Sequence, residues 1–553
     1  MKAPSAKRPR GGRTEDPRGT GQAAASGGPI SVRWNLAELP SSQHKAGLGG
    51  LALCAGHLRR SAGRPGLCEI EALEPGGLTL KVDRPGMQRL FDDIYAASRE
   101  EQEHARPFRN QRSGAEIPAK RSFETTVVDG AGIAKTRTVY VYEQIVPRGE
   151  LIEEWDAAPA GAPRRWLKLW RDLIWTIVRG VPATREPYDR RAASRPATDG
   201  MEAWDELAHE PTASVPLSST YYLGAQAATA ERAPFRDLAS RRVLLHFWPF
   251  AVPIYVPASV DREGRRDFAG YVVAIPDIVD LRAFVTDWPE IARARGTEPV
   301  GYRPRDAVVD LAAEAGLDLA RRAFEVVRRR EGVTATRPWL DAADVYHVEK
   351  AGNGVRVRSV CRVGVSRDRI EAYARVRKTY RSAIFRRQRI GNLLAGSAWW
   401  AGFGRRCATT TAALTIEDAT FRRDCRAAFA EDDMDDAVRE REPLERLIYR
   451  MVRAYVLGRL AAKYDLAWDP ALAGNPAWRS NYEQKRAKLA HEAFLAVRSR
   501  TGADFIEYVT GTLCSVPQRL DEHDVVAIAR ALADEHGGER VRSLTLLALA
   551  ANA

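Results

Sequence analysis

The sequence predicts an α+β protein, with a large mixed α/β N-terminal body followed by an all-helical C-terminal bundle. Three observations predict it. The chain has 553 residues, 45% hydrophobic and 28% charged, which is enough apolar material for two to four packed domains. Short β-rich runs alternate with helical periodicity up to about residue 405. Beyond Ala412 helical periodicity stands almost alone, dividing the chain into a body over 31–405 and a bundle over 412–553.

Residues 1–30, with Lys7-Arg8-Pro9-Arg10 and an Ala/Ser/Gly run, cannot build a core and read as a disordered basic tail. Ser42 can cap a helix through Leu48, Leu51 and Leu53, and Gly47, Gly49 and Gly50 within it predict close packing on a neighbour. Gly77–Val82 reads as a strand and Met87–Ala97 as a helix. Ser122–Val128 and Thr136–Ile145 are β-rich, and Asp129-Gly130-Ala131-Gly132 between them signals a hairpin. Trp166–Val178 is a helix with an aromatic face of Trp166, Trp170 and Trp175. Ala192–Pro216 reads as a surface loop or linker, and Arg242–Pro257 as a β-like run broken by prolines 249, 253 and 257. Tyr271–Ile275 is a strand, and Pro276-Asp277 opens a helix.

Ala307–Arg330 is an amphipathic helix, followed by strands Val345–Val348 and Val355–Val363 and a long basic helix over Asp368–Arg389. In the bundle, helices cover Pro443–Tyr464, Tyr482–Arg500, His523–Asp534 and Arg540–Ala550. Phe505–Val509 is the single strand candidate there.

The net charge is +13, which makes a polyanion the first partner to consider. Its placement is informative. Residues 1–30 carry +4, 31–355 sum to zero, 356–406 carry +12 (fourteen Lys/Arg against two acids), and the rest is slightly acidic. The excess is one block plus a tail.

Enzyme signatures are absent: no phosphate-cradling G-x-x-x-x-G-K-[ST], no G-x-S-x-G and no H-E-x-x-H. His523-Asp524 is a dipeptide that metal phosphohydrolases use, but only His536 lies near it, so Asp524 reads as a first-turn helix residue. Glu431–Asp436 reads as a solvated linker and N-terminal helix charge rather than a metal clamp. Cys54, Cys68, Cys361, Cys407, Cys425 and Cys514 form no C-x-x-C, which argues against a disulfide framework or structural zinc. No cofactor and no metal site is expected. The basic start lacks an apolar segment behind it and no run suits a membrane span, so the expectation is a cytoplasmic protein with reduced thiols.

Two clusters carry the binding hypothesis. On the long basic helix, Arg375, Lys378, Arg381, Arg386 and Arg389 fall along one side, and Ile370, Tyr373, Tyr380 and Ile384 on another. Arg377 and Arg387 complete the candidate set. Such a face can track phosphates along a backbone, and guanidinium groups contact them bidentately. The second cluster is Arg106, Arg109, Asn110, Gln111 and Arg112, followed by Lys120 and Arg121. It joins guanidiniums to amides, which can read base edges.

Four stretches resemble the large subunit of type I CRISPR Cascade complexes, nearest the myxobacterial-type large-subunit family. They are Trp34-Asn35-Leu36-Ala37-Glu38-Leu39-Pro40-Ser41-Ser42-Gln43-His44-Lys45-Ala46-Gly47-Leu48, Tyr222-Leu223-Gly224-Ala225-Gln226, Leu244-Leu245-His246-Phe247-Trp248-Pro249, and Gly270-Tyr271-Val272-Val273-Ala274-Ile275-Pro276. The resemblance implies a non-enzymatic subunit of an RNA-guided complex. Such a subunit sits near the guide CRISPR RNA's 5′ handle, beside the backbone and 5′-handle-binding subunits. It recognises the protospacer-adjacent motif on target duplex DNA, aids unwinding and recruits the CRISPR nuclease-helicase. It also implies a helical domain similar to the Cascade small subunit, which supports the displaced strand. In some relatives that subunit is made from an internal start, for which Met434 and Met451 are positioned here. The alternatives are a metal-dependent nuclease or phosphohydrolase, and a generic RNA- or DNA-binding structural protein.

Overall fold

The structure is a computed structural model that describes residues 28–60, 66–110, 113–128, 134–156, 158–180, 184–217, 220–225, 234–261, 263–332, 338–352, 354–434, 443–515, 520–534 and 537–553. Strand β1 (Ile30–Asn35) leads into helix α1 (Ser42–Arg60). Strands β2 (Cys68–Glu74) and β3 (Gly77–Val82) complete an antiparallel sheet ordered β1-β3-β2. Helix α2 (Arg84–Ile94) starts where the Asp83 carboxylate accepts the Gly86 N–H at 2.7 Å. It ends three residues short of the predicted Ala97, which instead opens β4 (Ala97–His104). The charged sequence of β4 shows no apolar alternation, and only pairing along β6 (Ala134–Pro147) makes it a strand. The predicted hairpin of β5 (Arg121–Val128) with β6 is present, with Val128 opposite Ala134, and its turn lies outside the described residues.

Helices α3 (Glu150–Trp155) and α4 (Arg165–Asp172) follow, the latter continuing as a π-turn over Leu173–Val178 with Trp166 and Trp170 buried. After α5 (Glu186–Ala192), the predicted loop 192–216 contains a helix, α6 (Thr198–His209). Its Gly200, Ala203, Trp204 and Leu207 recur at helical spacing and are buried, and the helix packs against α2. Short strands β7 (Ser214–Pro216) and β8 (Arg236–Leu238) pair with each other.

The predicted β-like run 242–257 is mostly not strand. Helix α7 (Ala239–Arg242) runs into 3₁₀ turns at Val243–His246 and Trp248–Phe250, and only β9 (Ile254–Val260) is extended. The reason is contact with α1. A Cβ at Gly47 would collide with the Leu244 carbonyl oxygen, and one at Gly50 with that of Phe247. Two glycines thus let two backbones touch, as their spacing predicted.

Strands β10 (Arg266–Phe268) and β11 (Tyr271–Ile278) come next. Pro276-Asp277 does not open a helix. The strand continues through it, because β9 pairs only with Val272 and Val273 and leaves the Pro276 side without a ladder to satisfy. Helix α8 (Leu281–Arg293) starts at Asp280, whose side chain accepts the Ala283 N–H. Strands β12 (Pro299–Val300), β13 (Arg303–Pro304) and β14 (Val308–Val309) precede α9 (Glu314–Glu331). Helix α9 begins later than predicted, because Val308–Val309 pair parallel to β9. Strands β15 (Leu340–Ala351) and β16 (Gly354–Gly364) finish the main sheet, ordered β10-β9-β11-β15-β16 with β14 beside β9.

Past β16 the described elements are helices: α10 (Arg367–Thr379), α11 (Ala383–Ala395), α12 (Phe403–Thr409), α13 (Ala419–Met434), α14 (Leu444–Tyr464), α15 (Pro476–Arg498), α16 (Gly502–Tyr508), α17 (Glu522–Ala533) and α18 (Gly537–Asn552). The predicted strand Phe505–Val509 lies in α16 and the π-turn after it. Helix α18 is apolar on every side and fully buried over Leu544–Ala550, and α12 to α15 and α17 pack around it. The chain as a whole is a mixed α/β N-terminal region followed by a helical C-terminal region.

A buried ionic network joins the sheet to the helices after it. Asp318 on α9 is fully buried and accepts from Arg321 (2.9 Å), Arg322 (2.8 Å), Arg377 of α10 (2.7 Å) and the Tyr255 hydroxyl of β9 (3.0 Å). Burial alone would raise its pKa, but Arg322, Arg377 and Arg321 outweigh that and hold it well below the usual carboxylate range. Beside it, Glu314 accepts the Tyr373 hydroxyl (3.0 Å) and the Asp310 N–H (2.7 Å), and Arg386 of α11 pairs with Asp310. Burial, then the nearby Asp310 charge, push Glu314 up to about 7.

Replacing Asp318 with Ala leaves three guanidiniums without their anion. Denaturant unfolding should show a loss of about 3–5 kcal/mol, as for other broken buried pairs. Glu314 has a folded pKa above its unfolded one, so its stabilising contribution is present below about pH 4.5 and lost as pH rises through about 7. Unfolding measured from pH 5 to 8 should therefore show wild type losing about 1–3 kcal/mol relative to Glu314→Gln. Parallel pH profiles would contradict this.

Candidate nucleic-acid interface

The second cluster lies beyond β4. The loop is clipped to the small sheet: Phe108 stacks on Tyr142 with centroids 4.2 Å apart, and its N–H donates to the Tyr142 hydroxyl. Asn110 shapes the turn, its Oδ1 accepting the Ser113 N–H and its carbonyl the Gly114 N–H. Gln111 and Arg112 lie outside the described residues. Arg109 pairs with Glu116 (3.0 Å), while Lys120 (3.0 Å) and Arg121 (2.8 Å) share Glu101. Hydrogen bonding and charge from Lys120, then Arg121, lower the Glu101 pKa. All three pairs are exposed, so they hold weakly and can be exchanged for phosphate contacts. Arg106 is exposed, and among the described residues no carboxylate pairs with it.

The first cluster, the basic helix, differs from prediction. The basic helix is not continuous: it breaks at Tyr380–Ser382 between α10 and α11. The Ser382 hydroxyl caps the Phe385 N–H, and the N–H groups of Arg381 and Ser382 donate to the buried Asp424 at 2.7 and 2.6 Å. The expected single stripe of Arg375, Lys378, Arg381, Arg386 and Arg389 is therefore divided. Arg377 and Arg386 turn inward to Asp318 and Asp310. Arg389 lies over the rings of Tyr380 (5.6 Å) and Trp399 (5.7 Å). Arg375, Lys378 and Arg381 are exposed, and no described carboxylate pairs with their side chains.

Arg387 faces another way. It lines a groove of about 440 Å³ between the sheet and α11, together with Ser259, His347, Arg358 and Ser359. Arg358 is paired with Glu349 at 2.6 Å, and the His347 Nε2 bonds the Ala269 carbonyl at 2.8 Å. Two arginines of α12 join Arg387. Arg406 is half-buried. Burial first, then the charges of Arg387 and Arg405, lower its pKa, and no described carboxylate pairs with any of the three. Like charges gathered without a counter-ion form a place where an anion relieves repulsion. Arg405 and Arg406 were not among the predicted candidates, because Gly402-Phe403-Gly404 separates them from any predicted basic face. Their membership in the +12 block was the available signal.

The weaker motifs resolve into structure. Asp524 belongs to a reciprocal cap of α17 with Asp521 and pairs with Arg450 at 2.7 Å, while His536 lies outside the described residues. The acidic run is not an N-terminal helix charge at its start: Glu431–Met434 close α13, and Glu431 accepts the Tyr380 hydroxyl at 2.7 Å. Asp435 and Asp436 lie outside the described residues. Among the described residues no helix is long and apolar enough to cross a membrane.

The comparisons place this architecture. Residues 67–332 match the family model for the type I-B CRISPR Cas8b N-terminal domain, and residues 340–552 match that for the type I-B CRISPR Cas8b C-terminal domain. A chain that carries both in this order is a type I CRISPR large subunit. More narrowly, it belongs to the type I-B Cas8b family, and with that to a Cascade complex containing other Cas subunits. The seam at 332–340 falls at the start of β15, so the C-terminal match takes in β15, which pairs with β11, and β16, which pairs with β15. No curated protein matches the chain.

The sorting of arginines makes a measurable distinction. Arg387→Gln and Arg406→Gln should each weaken nucleic-acid binding about 3–10-fold regardless of sequence, and reduce the salt slope by up to about 0.9. Arg377→Gln should instead lower the thermal midpoint, because its guanidinium is engaged with Asp318. Anisotropy titrations across a salt series, with unfolding scans, separate the two classes.

Proposed function

We propose that this chain is the subunit of its RNA-guided complex that recognises the protospacer-adjacent motif on duplex DNA, next to the 5′ handle of the guide CRISPR RNA. It starts unwinding there and recruits the nuclease-helicase, and it works without catalysing a reaction itself, in the cytoplasm. The gathering of Arg405 and Arg406 near Arg387, none of the three paired with a described carboxylate, carries this reading; Arg387 itself lines a groove beside the main sheet whose one lining carboxylate, Asp310, is already paired with Arg386. Phosphate oxygens fit such a groove, since each guanidinium offers paired donors in one plane. The exposed Arg375, Lys378 and Arg381 extend the cationic surface, and the loop of Arg106–Arg112 adds amide groups suited to base edges.

The division of labour follows the chain. The body over 31–405 reads handle and duplex, and the helices over 412–553 act as a built-in counterpart of the small subunit along the displaced strand. An internal start at Met434 would retain α14–α18. A start at Met451, itself buried in α14, would remove Leu447 and Ile448 from the core. The motifs at Trp34–Leu48 and Leu244–Pro249 support placing the chain near the myxobacterial-type branch.

Binding of the chain, co-purified with its partner subunits and guide, to duplexes differing only in the flanking motif tests this. At a fixed stated salt, one motif should bind at least about tenfold tighter, a typical discrimination for specific base contacts. Substituting Asn110 or Gln111 should change which motif is preferred. Equal affinity for every motif would leave only a generic nucleic-acid-binding role.

A further inference from the structure

We propose that His57, Asp93 and Glu150 form a divalent-metal site, suited to Zn²⁺ or Mn²⁺, that clamps the end of α1 to α2 and α3. The three residues come from separate elements: the last turn of α1, the last turn of α2 and the first position of α3. One ligand atom from each lies within 4.8 Å of the others. A tetrahedral site with bonds of about 2.1 Å needs donors about 3.4 Å apart, so these need close by up to about 1.4 Å. Glu150 is exposed at a helix start and is placed to make that movement.

The state of the imidazole is the second observation. The His57 Nδ1 atom is fully buried and has no hydrogen-bond partner. The Glu154 carboxylate lies 3.2 Å from it, close enough for an ion pair but outside hydrogen-bond geometry. The other Glu154 oxygen is held by Arg293 at 3.1 Å. A buried ring nitrogen is rarely left without a hydrogen bond, and the Asp93 and Glu150 carboxylates gather at the same imidazole ring. A borderline metal answers this arrangement, because it takes imidazole nitrogen and carboxylate oxygen together. Mg²⁺ suits it less well, since it prefers all-oxygen sites and keeps its waters. The site shares no residue with the basic groove and does not depend on the nucleic-acid reading.

Calorimetric titration of the chelator-treated, full-length chain with ZnCl₂ and MnCl₂, with MgCl₂ for comparison, tests the proposal. One equivalent of Zn²⁺ should bind in the micromolar range or tighter and raise the thermal midpoint. Affinity should fall at lower pH as protons compete for the donors. Glu150→Gln should weaken binding about tenfold or more, and His57→Gln should abolish it together with the midpoint shift. Because Glu150 is exposed, its variant tests the site even where the His57 variant folds poorly. No binding, unchanged affinity in Glu150→Gln, or Mg²⁺ binding as tightly as Zn²⁺ would each overturn the proposal.

Discussion

The burial of Asp318 is the constraint on which the rest of the structure depends. One carboxylate with no solvent access receives three guanidiniums and a phenol, and those donors come from β9, α9 and α10. A lone buried charge is untenable, so none of these elements can shift without leaving charge unpaired. The neighbouring contacts of Glu314 with Tyr373 and of Arg386 with Asp310 extend the same fastening to α10 and α11. The sheet and the first helices after it are thereby held in one register.

That fastening also decides what the basic block does. Its arginines divide into those consumed internally and those left to the surface. Arg377 and Arg386 meet buried acids and Arg389 meets aromatic rings, whereas Arg375, Lys378, Arg381, Arg387, Arg405 and Arg406 have no described carboxylate partner. Each inward pair removes a charge from the surface while orienting its neighbours outward. Inward-held and outward-facing arginines alternate along a single stretch of chain, so a count of positive residues overstates the surface available to an anion.

The segments that carry the family resemblance have a packing explanation. Gln43 of α1 makes two hydrogen bonds to the backbone of Leu223 at 2.9 Å each, His44 meets Asp237 at 2.8 Å, and Lys45 meets Asp277 at 2.6 Å. Gly47 and Gly50 rest on the carbonyls of Leu244 and Phe247. These four stretches are distant in sequence and touch in space. Their residue choices record one close helix–backbone contact and the polar groups held around it.

The sequence by itself determined the fold class, the hairpin of β5 with β6, the glycine contact of α1, the helical C-terminal region and the location of the excess charge. These depend on local period, turn chemistry and composition, which neighbouring residues express directly. It was misleading at α6, whose Trp204 and Leu207 spacing was hidden by a Pro- and Ser-rich frame, and at β4, which is a strand only because β6 lies beside it. Only the tertiary structure decided that Pro276 stays in a strand, that the basic helix breaks at Ser382 on Asp424, and which arginines face out. The physical reason is common to all three: the deciding partner lies on another element of the fold, and a charge or a backbone group shows its role only when that partner is in place.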